Sequence, residues 1–359
     1  MVSMKDIAEA CGVSSATVSK ALNDHRDISS GTKERIKKAA RALGYFPSSA
    51  ARALKTNKTN NIGVLFVEEA QSGLTHDFFA HVLDSFKRTV EEQGYDITFI
   101  NSNKSRENAM SYLEHSRYRG FDGVVVACVN YRDPEVQELL HGELPVVAID
   151  FVSDKIVSIL SDNETGIKEL MDYARQLGHE RIAYITGQDS AVTQARIKTY
   201  KDKLTEFGFP IRDEYIINSE YRDIGQTAVR TTELLSLPEA PTCILFPDDY
   251  AAYGGINVIR GMGMRIPEDI SVAGFDGISL AAQIQPKLTT FRQDTESMGI
   301  AAAKKLIERI EYEPEEAEGD EGNEGQVKGT QQLPVSEVIL IPGKLVKGGT
   351  FGVNPEAGK

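Results

Sequence analysis

A chain of 359 residues, 41% hydrophobic and 26% charged, has the make-up of an ordinary globular protein and room for two or three domains. No run approaches the roughly 18 to 20 continuous apolar residues of a membrane span, and the opening MVSMKDIAEA lacks a basic-then-apolar signal pattern. The expected setting is the cytoplasm, with no membrane partner.

The net charge of −13 is unevenly spread: residues 1–60 carry 11 Lys/Arg and 5 Asp/Glu, net +6, and the remainder carries 29 and 48, net −19. A small basic head on a large acidic body points to a polyanionic partner for the head. Cys11, Cys128 and Cys243 fit neither a zinc spacing nor a disulfide framework. They are expected to be reduced and mostly buried, with no metal and no cofactor.

The head reads as three helices. Met4 to Cys11 places Ile7, Ala8 and Cys11 on one face, with Ser3 and Asp6 as a capping box and Gly12 as the left-handed stop. Ser14 caps a second helix from Ser15 to Leu22, whose buried face is Val18, Ala21 and Leu22. A third starts at Ser29 and ends at Gly44. Two short helices joined at a glycine turn and braced by a third form a helix-turn-helix unit. Its second helix needs short outward side chains that approach DNA closely and hydrogen-bond to phosphates and base edges. Ser14, Ser15, Thr17 and Ser19 suit that role, Ala16 can touch a thymine methyl, and Lys20 can reach a guanine edge. A three-helix bundle without a ligand is the plain alternative.

After Pro47, Ser48 can cap a helix of about two turns through Leu54, too short to persist alone in water. Leu54, beside Arg52 and Lys55, can wedge into a minor groove; a linker with one tolerated leucine is the plain alternative.

The stretches MKDIAEACGVSSATVSKALN, TKERIKKAARALGYFPSSAARALK and NIGVLF together resemble the LacI/GalR (lactose-repressor) family. The resemblance implies base contacts by Ser15, Ala16 and Lys20. It implies backbone contacts by Ser14, Thr17, Ser19, Asn23, Ser29 and Tyr45. Ala51 and Leu54 would sit at the central minor groove on a hinge helix that orders on DNA. It further implies a homodimer on a pseudo-palindromic operator, in a bacterial protein associated with the nucleoid.

From Ile62 the pattern alternates short apolar runs (IGVLFV, ITFI, GVVVA, VVAID, RIAYIT, CILFP, SVAGFD) with amphipathic helices, the first from Thr75 to Gln93. Continuous apolar strands alternating with helices mean parallel sheets covered on both faces. There are enough strands for two doubly wound lobes, with a ligand off the carboxyl ends of the strands. The fold class is therefore an all-α helix-turn-helix head on an α/β body of two doubly wound parallel-sheet lobes. The expected boundaries are 1–46 for the head, 47–61 for the hinge and 62–359 for the body. The N-lobe takes about 62–161 and 294–325, and the C-lobe about 162–291 and 335–350.

Near the strand ends stand Phe78, Phe79, Asp150, Arg196, Asp248, Asp249, Asp276 and Gln293. Carboxylates, an arginine fork, an amide and aromatic walls suit a polyhydroxylated ligand such as a sugar. Each of these residues also has a plain role as cap, core or surface pair, and one of the two phenylalanines is expected to be core. The body resembles the same family, which shares its fold with periplasmic sugar-binding proteins, through DFF, ARIKTY, PDDYAAYGG, VAGFDG and LTTFRQD. By position, all of these except Asp249 fall where family members contact effectors.

Two departures stand out. Many family members carry Asn at the place of Asp248, which suggests a different hydroxyl pattern or a positively charged effector. The acidic, glycine-rich stretch 311–334 reads as a solvated insertion before the strand SEVILI. The leading expectation is a repressor of carbohydrate uptake or breakdown genes whose DNA affinity changes with a small sugar. A sugar-binding module without a DNA role is the alternative. An enzyme is disfavoured, since the sequence has no GxGxxG after the first strand, no Walker loop, no GxSxG elbow and no HExxH.

Overall fold

The computed structural model describes residues 2–46, 58–67, 73–101, 110–312 and 336–356. The proposed hinge residues Ala51 and Leu54, and positions 313–334 of the acidic stretch, lie outside the described residues. The chain divides into two compact units, Met1–Thr59 and Asn60–Lys359.

The first unit holds α1 (Met4–Cys11), α2 (Ser15–Leu22) and α3 (Ser30–Leu43). Local chemistry sets each boundary. The Ser3 N–H donates to the Asp6 carboxylate at 2.7 Å. The Ser14 and Ser29 hydroxyls accept from the N–H groups of Thr17 (3.1 Å) and Thr32 (3.4 Å). Gly12 and Gly44 take the left-handed conformation at the ends of α1 and α3 (φ 63° and 72°). Ile7, Ala8, Val18, Ala21, Ile36 and Ala40 form the small core, with Leu22 and Cys11 packed against it.

The second unit contains two six-stranded sheets. In the N-lobe sheet run β1 (Asn61–Phe66), β2 (Asp96–Phe99), β3 (Gly123–Ala127), β4 (Val146–Ile149) and β5 (Val157–Ser161). The C-lobe sheet has β6 (Ile182–Thr186), β7 (Ile216–Asn218), β8 (Cys243–Leu245), β9 (Ser271–Asp276) and β10 (Thr289–Arg292). Two late strands, β11 (Glu337–Ile341) and β12 (Lys344–Val346), extend the first and second sheet respectively. Both sheets have the spatial order 2-1-3-4-5 plus the late strand, and all pairs are parallel except β10 with β12. This doubly wound order puts a crevice at the carboxyl ends of β1/β3 and of β6/β8.

Helices cover both faces of each sheet. In the N-lobe, α4 (Asp77–Glu92) and α12 (Thr295–Glu311) close one core, and α5 (Tyr112–Arg119) and α6 (Pro134–Leu140) the other. In the C-lobe, α7 (Asn163–Gln176) and α8 (Ala191–Phe207) pack opposite α9 (Ile224–Leu235), α10 (Asp249–Gly261) and the short α11 (Ser279–Gln283). Gly299 lets α12 approach α4 so closely that a Cβ there would collide with Ser85 Oγ and the Val82 carbonyl oxygen.

One expectation needs correction. The boundaries expected from the sequence place SEVILI in the C-lobe portion 335–350, yet β11 pairs in parallel with β5 of the N-lobe, Glu337 opposite Val157 through Ile341 opposite Ser161. Burial explains the placement: Ile339 and Ile341 turn into the N-lobe core while Val338 and Leu340 face outward. The chain crosses to the C-lobe only after Ile341, at β12.

Candidate functional site

In the head, the outward face of α2 carries the side chains singled out from the sequence. Ser14, Ser15, Ala16, Lys20, Asn23 and Ser29 are exposed, and Thr17, Ser19 and Tyr45 are half-buried. Val18 and Ala21 hold the opposite face in the core, so the exposed stripe is uninterrupted by bulky apolar groups. Several of these residues also serve the local fold. Ser14 pairs with the Thr17 hydroxyl at 2.9 Å, and the Asn23 amide donates to the Ser19 carbonyl at 2.8 Å. The Lys20 ammonium reaches Asp27 at 2.5 Å.

In the body, a cavity of about 230 Å³ lies off the strand ends of both lobes. All seven expected ligand residues line it: Phe78, Phe79, Asp150, Arg196, Asp248, Asp276 and Gln293. Phe78 and Phe79, in the first turn of α4, are both buried in the N-lobe core and both reach the cavity, so neither is purely core. Their rings meet edge-on at 4.9 Å, and Phe79 also meets the His76 ring edge-on at 4.9 Å.

Asp150 follows β4 in a left-handed conformation (φ 59°). Its Oδ1 is buried without a hydrogen-bond partner. Burial pushes its pKa up to about 6, against the pull of Arg196. From the C-lobe, the buried Arg196 donates from Nε to Asn163 Oδ1 (2.8 Å) and from Nη1 to the Pro247 carbonyl (2.9 Å). Its guanidinium lies 3.6 Å from the centre of the Phe275 ring. Asp276 accepts from the Gln293 amide at 2.5 Å. Burial, reinforced by the charge of Asp248, raises Asp276 to about 7, opposed by Arg196 and Gln293.

Asp248 lines the cavity and also anchors the local backbone. Its Oδ1 accepts the Ala251 N–H at the start of α10 and its Oδ2 accepts the Arg222 N–H, both at 2.8 Å. Two backbone donors occupy two oxygens, which an Asn amide could not match. Asp249, also a strand-end candidate, turns away from the cavity. It accepts from the Thr290 hydroxyl (2.6 Å) and the Ile278 N–H (2.8 Å).

Sequence reasoning missed Cys128, Tyr131, Gln188, Tyr221 and Arg222, which also line the cavity. Cys128 is half-buried, unlike the fully buried Cys243. Tyr131 stacks on Phe151 (4.1 Å, 8°) and donates to the Ile149 carbonyl at 2.7 Å. Tyr221 sits 2.9 Å from Thr193 through its hydroxyl. The backbone supplies a signal the sequence could not. Six described non-glycine residues have positive φ, and four of them (Cys128, Asp150, Arg222 and Asp276) line this cavity. Such conformations are costly and collect at binding sites. Among the described residues, no group of three His, Cys, Asp or Glu side chains is placed to hold a metal ion.

A helix-turn-helix head on a body of two doubly wound lobes around a ligand-sized cleft defines a DNA-binding regulator with a ligand domain. Residues 3–48 match the family described as bacterial regulatory proteins, lacI family. Residues 59–347 match the periplasmic binding proteins and sugar binding domain of LacI family. The chain is 32% identical over 315 residues to the HTH-type transcriptional repressor PurR of Vibrio vulnificus (strain CMCP6), covering 86% of this chain and 92% of that one. It is 33% identical over 319 residues to the "Probable HTH-type transcriptional repressor ExuR" of Bacillus subtilis (strain 168), covering 88% and 93%. The Lac repressor dimer bound to operator and the anti-inducer ONPF shares the fold, with a TM-score of 0.77 over 97% of this chain and 98% of that one at 24% identity. So does a LacI family regulator from Enterococcus faecium with bound ribose, at a TM-score of 0.64, 24% identity and 82% and 99% coverage. The chain belongs to the LacI family: it is a DNA-binding transcriptional repressor with a ligand-binding domain.

Proposed function

We propose that this repressor controls carbohydrate uptake or breakdown genes and that a small sugar-like effector in the cleft changes its affinity for DNA. The observation that carries the reading is the convergence, in one cavity, of Asp150, Arg196, Asp276 and Gln293 with the Phe78 and Phe79 rings. That set offers acceptors, donors and an apolar wall to a polyhydroxylated ring. The bound ribose in the Enterococcus faecium structure supports it by fold analogy.

On DNA, Ser15, Ala16 and Lys20 face base edges, while Ser14, Thr17, Ser19, Asn23, Ser29 and Tyr45 contact the backbone. Ala51 and Leu54 enter the central minor groove from the segment 47–61. The repressor acts as a homodimer on a pseudo-palindromic operator in the bacterial cytoplasm. Exposed Ile224, Val229 and Tyr253 on α9 and α10 supply apolar surface for pairing. Effector binding moves the lobes, which alters the spacing of the two heads. By linkage, DNA and effector then change each other's affinity by one factor. The protein is a binding protein rather than an enzyme.

Deleting residues 1–60 tests the division of labour. The truncated protein should lose operator binding and keep effector binding. Operator binding that survives the deletion would overturn the reading. Within the full chain, Lys20→Ala should weaken operator binding more than binding to random DNA.

A further inference from the structure

We propose that Asp27 is a specificity-determining residue of the DNA-reading head: its carboxylate holds the Lys20 ammonium at the end of α2, so that the lysine answers to base edges and not to phosphates. The inference rests on the reading of Lys20 as a base contact and names the residue that aims it.

The backbone sets the pair. The Lys20 ammonium and the Asp27 carboxylate meet at 2.5 Å, with both side chains about half exposed. Between them the chain folds back on α2. The Asp24 N–H donates to the Ala21 carbonyl (3.3 Å) and the His25 N–H to the Lys20 carbonyl (3.0 Å). Asp24 takes a left-handed conformation (φ 55°). Lys33 and Lys37 of α3 pin it there, donating to its carbonyl (2.9 Å) and to its carboxylate (2.8 Å). Ile28 then packs against the head core. Asp27 is fixed between these anchors, and the long lysine side chain comes to it.

An exposed ion pair adds little stability; this one acts on position. A free lysine is a flexible point charge with rotamer entropy to lose and no preference for a base over a phosphate. Asp27 engages one of the three ammonium donors and leaves the others for O6 and N7 of a guanine. The Lys20 ammonium in turn holds the Asp27 carboxyl below the usual carboxylate range, so the group is ionised at neutral pH. A negative charge beside the reading face repels phosphate, which weakens binding wherever the base contact is missing.

The test begins with the full-length protein selecting its preferred duplex from a randomised pool. Fluorescence polarisation then gives the affinity for that duplex and for a scrambled one, between about 50 and 200 mM salt. Each variant is checked for folding by circular dichroism. Lys20→Ala should lower the ratio of the two affinities about tenfold or more. Asp27→Asn should lower it about fivefold, chiefly through tighter binding of the scrambled duplex. Its salt slope on that duplex should steepen by about 0.9 for each head, as the released lysine takes up a phosphate. Asp24→Asn is the charge-matched control. It removes the same charge from the same turn, Asn tolerates the left-handed backbone, and the ratio should stay within about twofold. Adding Asp27→Asn to Lys20→Ala should change the ratio no further. An unchanged ratio in Asp27→Asn would overturn the proposal, as would an equal fall in Asp24→Asn or an effect of Asp27→Asn that persists without Lys20. The two readings fail separately. A ratio that survives Lys20→Ala sinks the base contact and the proposal with it. A ratio that falls in Lys20→Ala and stands in Asp27→Asn sinks the proposal alone.

Discussion

The Tyr250 hydroxyl donates to the Asp77 carboxylate at 2.5 Å, joining two helices that start 172 residues apart, α4 of the N-lobe and α10 of the C-lobe. Asp77 opens the helix that presents Phe78 and Phe79 to the cavity. Tyr250 sits two residues beyond Asp248, with Arg222 over its ring. The bond therefore ties the two lobes together beside the cavity. A second, more exposed link joins Arg132 to Asp189 at 2.9 Å.

Tyr250→Phe keeps the ring under Arg222 and removes only the hydroxyl. A net hydrogen bond to a charged partner is worth about 1.5 to 3 kcal/mol, and its half-exposed setting favours the lower end. Urea denaturation should show a loss of about 1 to 2 kcal/mol with an unchanged m-value. An unchanged midpoint would mean that the bond does not hold the lobes.

Asp248→Asn should be more damaging than its small chemical change suggests. The amide can accept only one of the N–H groups of Ala251 and Arg222 and turns its own NH₂ toward the other. Leaving a buried donor unsatisfied costs about 1 to 3 kcal/mol, and Arg222 would lose the tether that holds its left-handed backbone (φ 63°). Chemical denaturation reads the cost. A variant as stable as the wild type would show that these two bonds carry no net weight.

Gly299→Ala tests the packing of α4 against α12. The added methyl meets Ser85 Oγ and the backbone at Val82 and Phe86, none of which is the flexible end of a long side chain. Overpacking of this kind costs about 1 to 3 kcal/mol, which thermal or urea melting of the body should register. A neutral substitution would require the two helices to part without penalty.

The carboxylates in the cleft give the protein a pH signature. Asp150 titrates at about 6 and Asp276 at about 7 in the folded state, both raised first by burial. An unfolded Asp titrates near about 3.9, so between about pH 4 and 7 the folded protein binds more protons than the unfolded chain. The contribution of both residues to stability therefore falls as pH rises through that window. A ligand hydroxyl donating to either carboxylate favours its ionised form and releases the proton, so effector affinity should rise between about pH 5 and 8. Calorimetry in buffers of different ionisation enthalpy would detect the released proton. Asp276→Asn should flatten the profile, and proton uptake on binding would contradict the assignment.

Much of the architecture was readable because its causes are local. Ser3, Ser14 and Ser29 at helix starts, and Gly12 and Gly44 at helix ends, delimit α1 to α3 without reference to the rest of the chain. The strands β3, β4 and β6 are buried at every position, so their apolar runs are continuous. What escaped notice is set by tertiary context. The strand β7 has three residues and β5 carries two serines, so neither reads as an apolar run. Tyr131, Tyr221 and Arg222 lie between elements, where no periodicity aims a side chain at the cleft. The misplaced β11 shows the same limit: its pattern announces a strand but not which sheet edge it joins. Asp248 was identified as a cleft residue, but its second backbone partner, Arg222, is 26 residues away and invisible locally.

The central claim is that a ligand in the cleft governs how the head holds DNA. The most direct test is fluorescence polarisation of the full-length protein on its own upstream DNA, at about 50 and 200 mM salt, with each neutral monosaccharide added in turn. The account predicts saturable binding that weakens steeply with salt and that one sugar shifts at least about tenfold. Specific DNA binding that no small molecule shifts would contradict it.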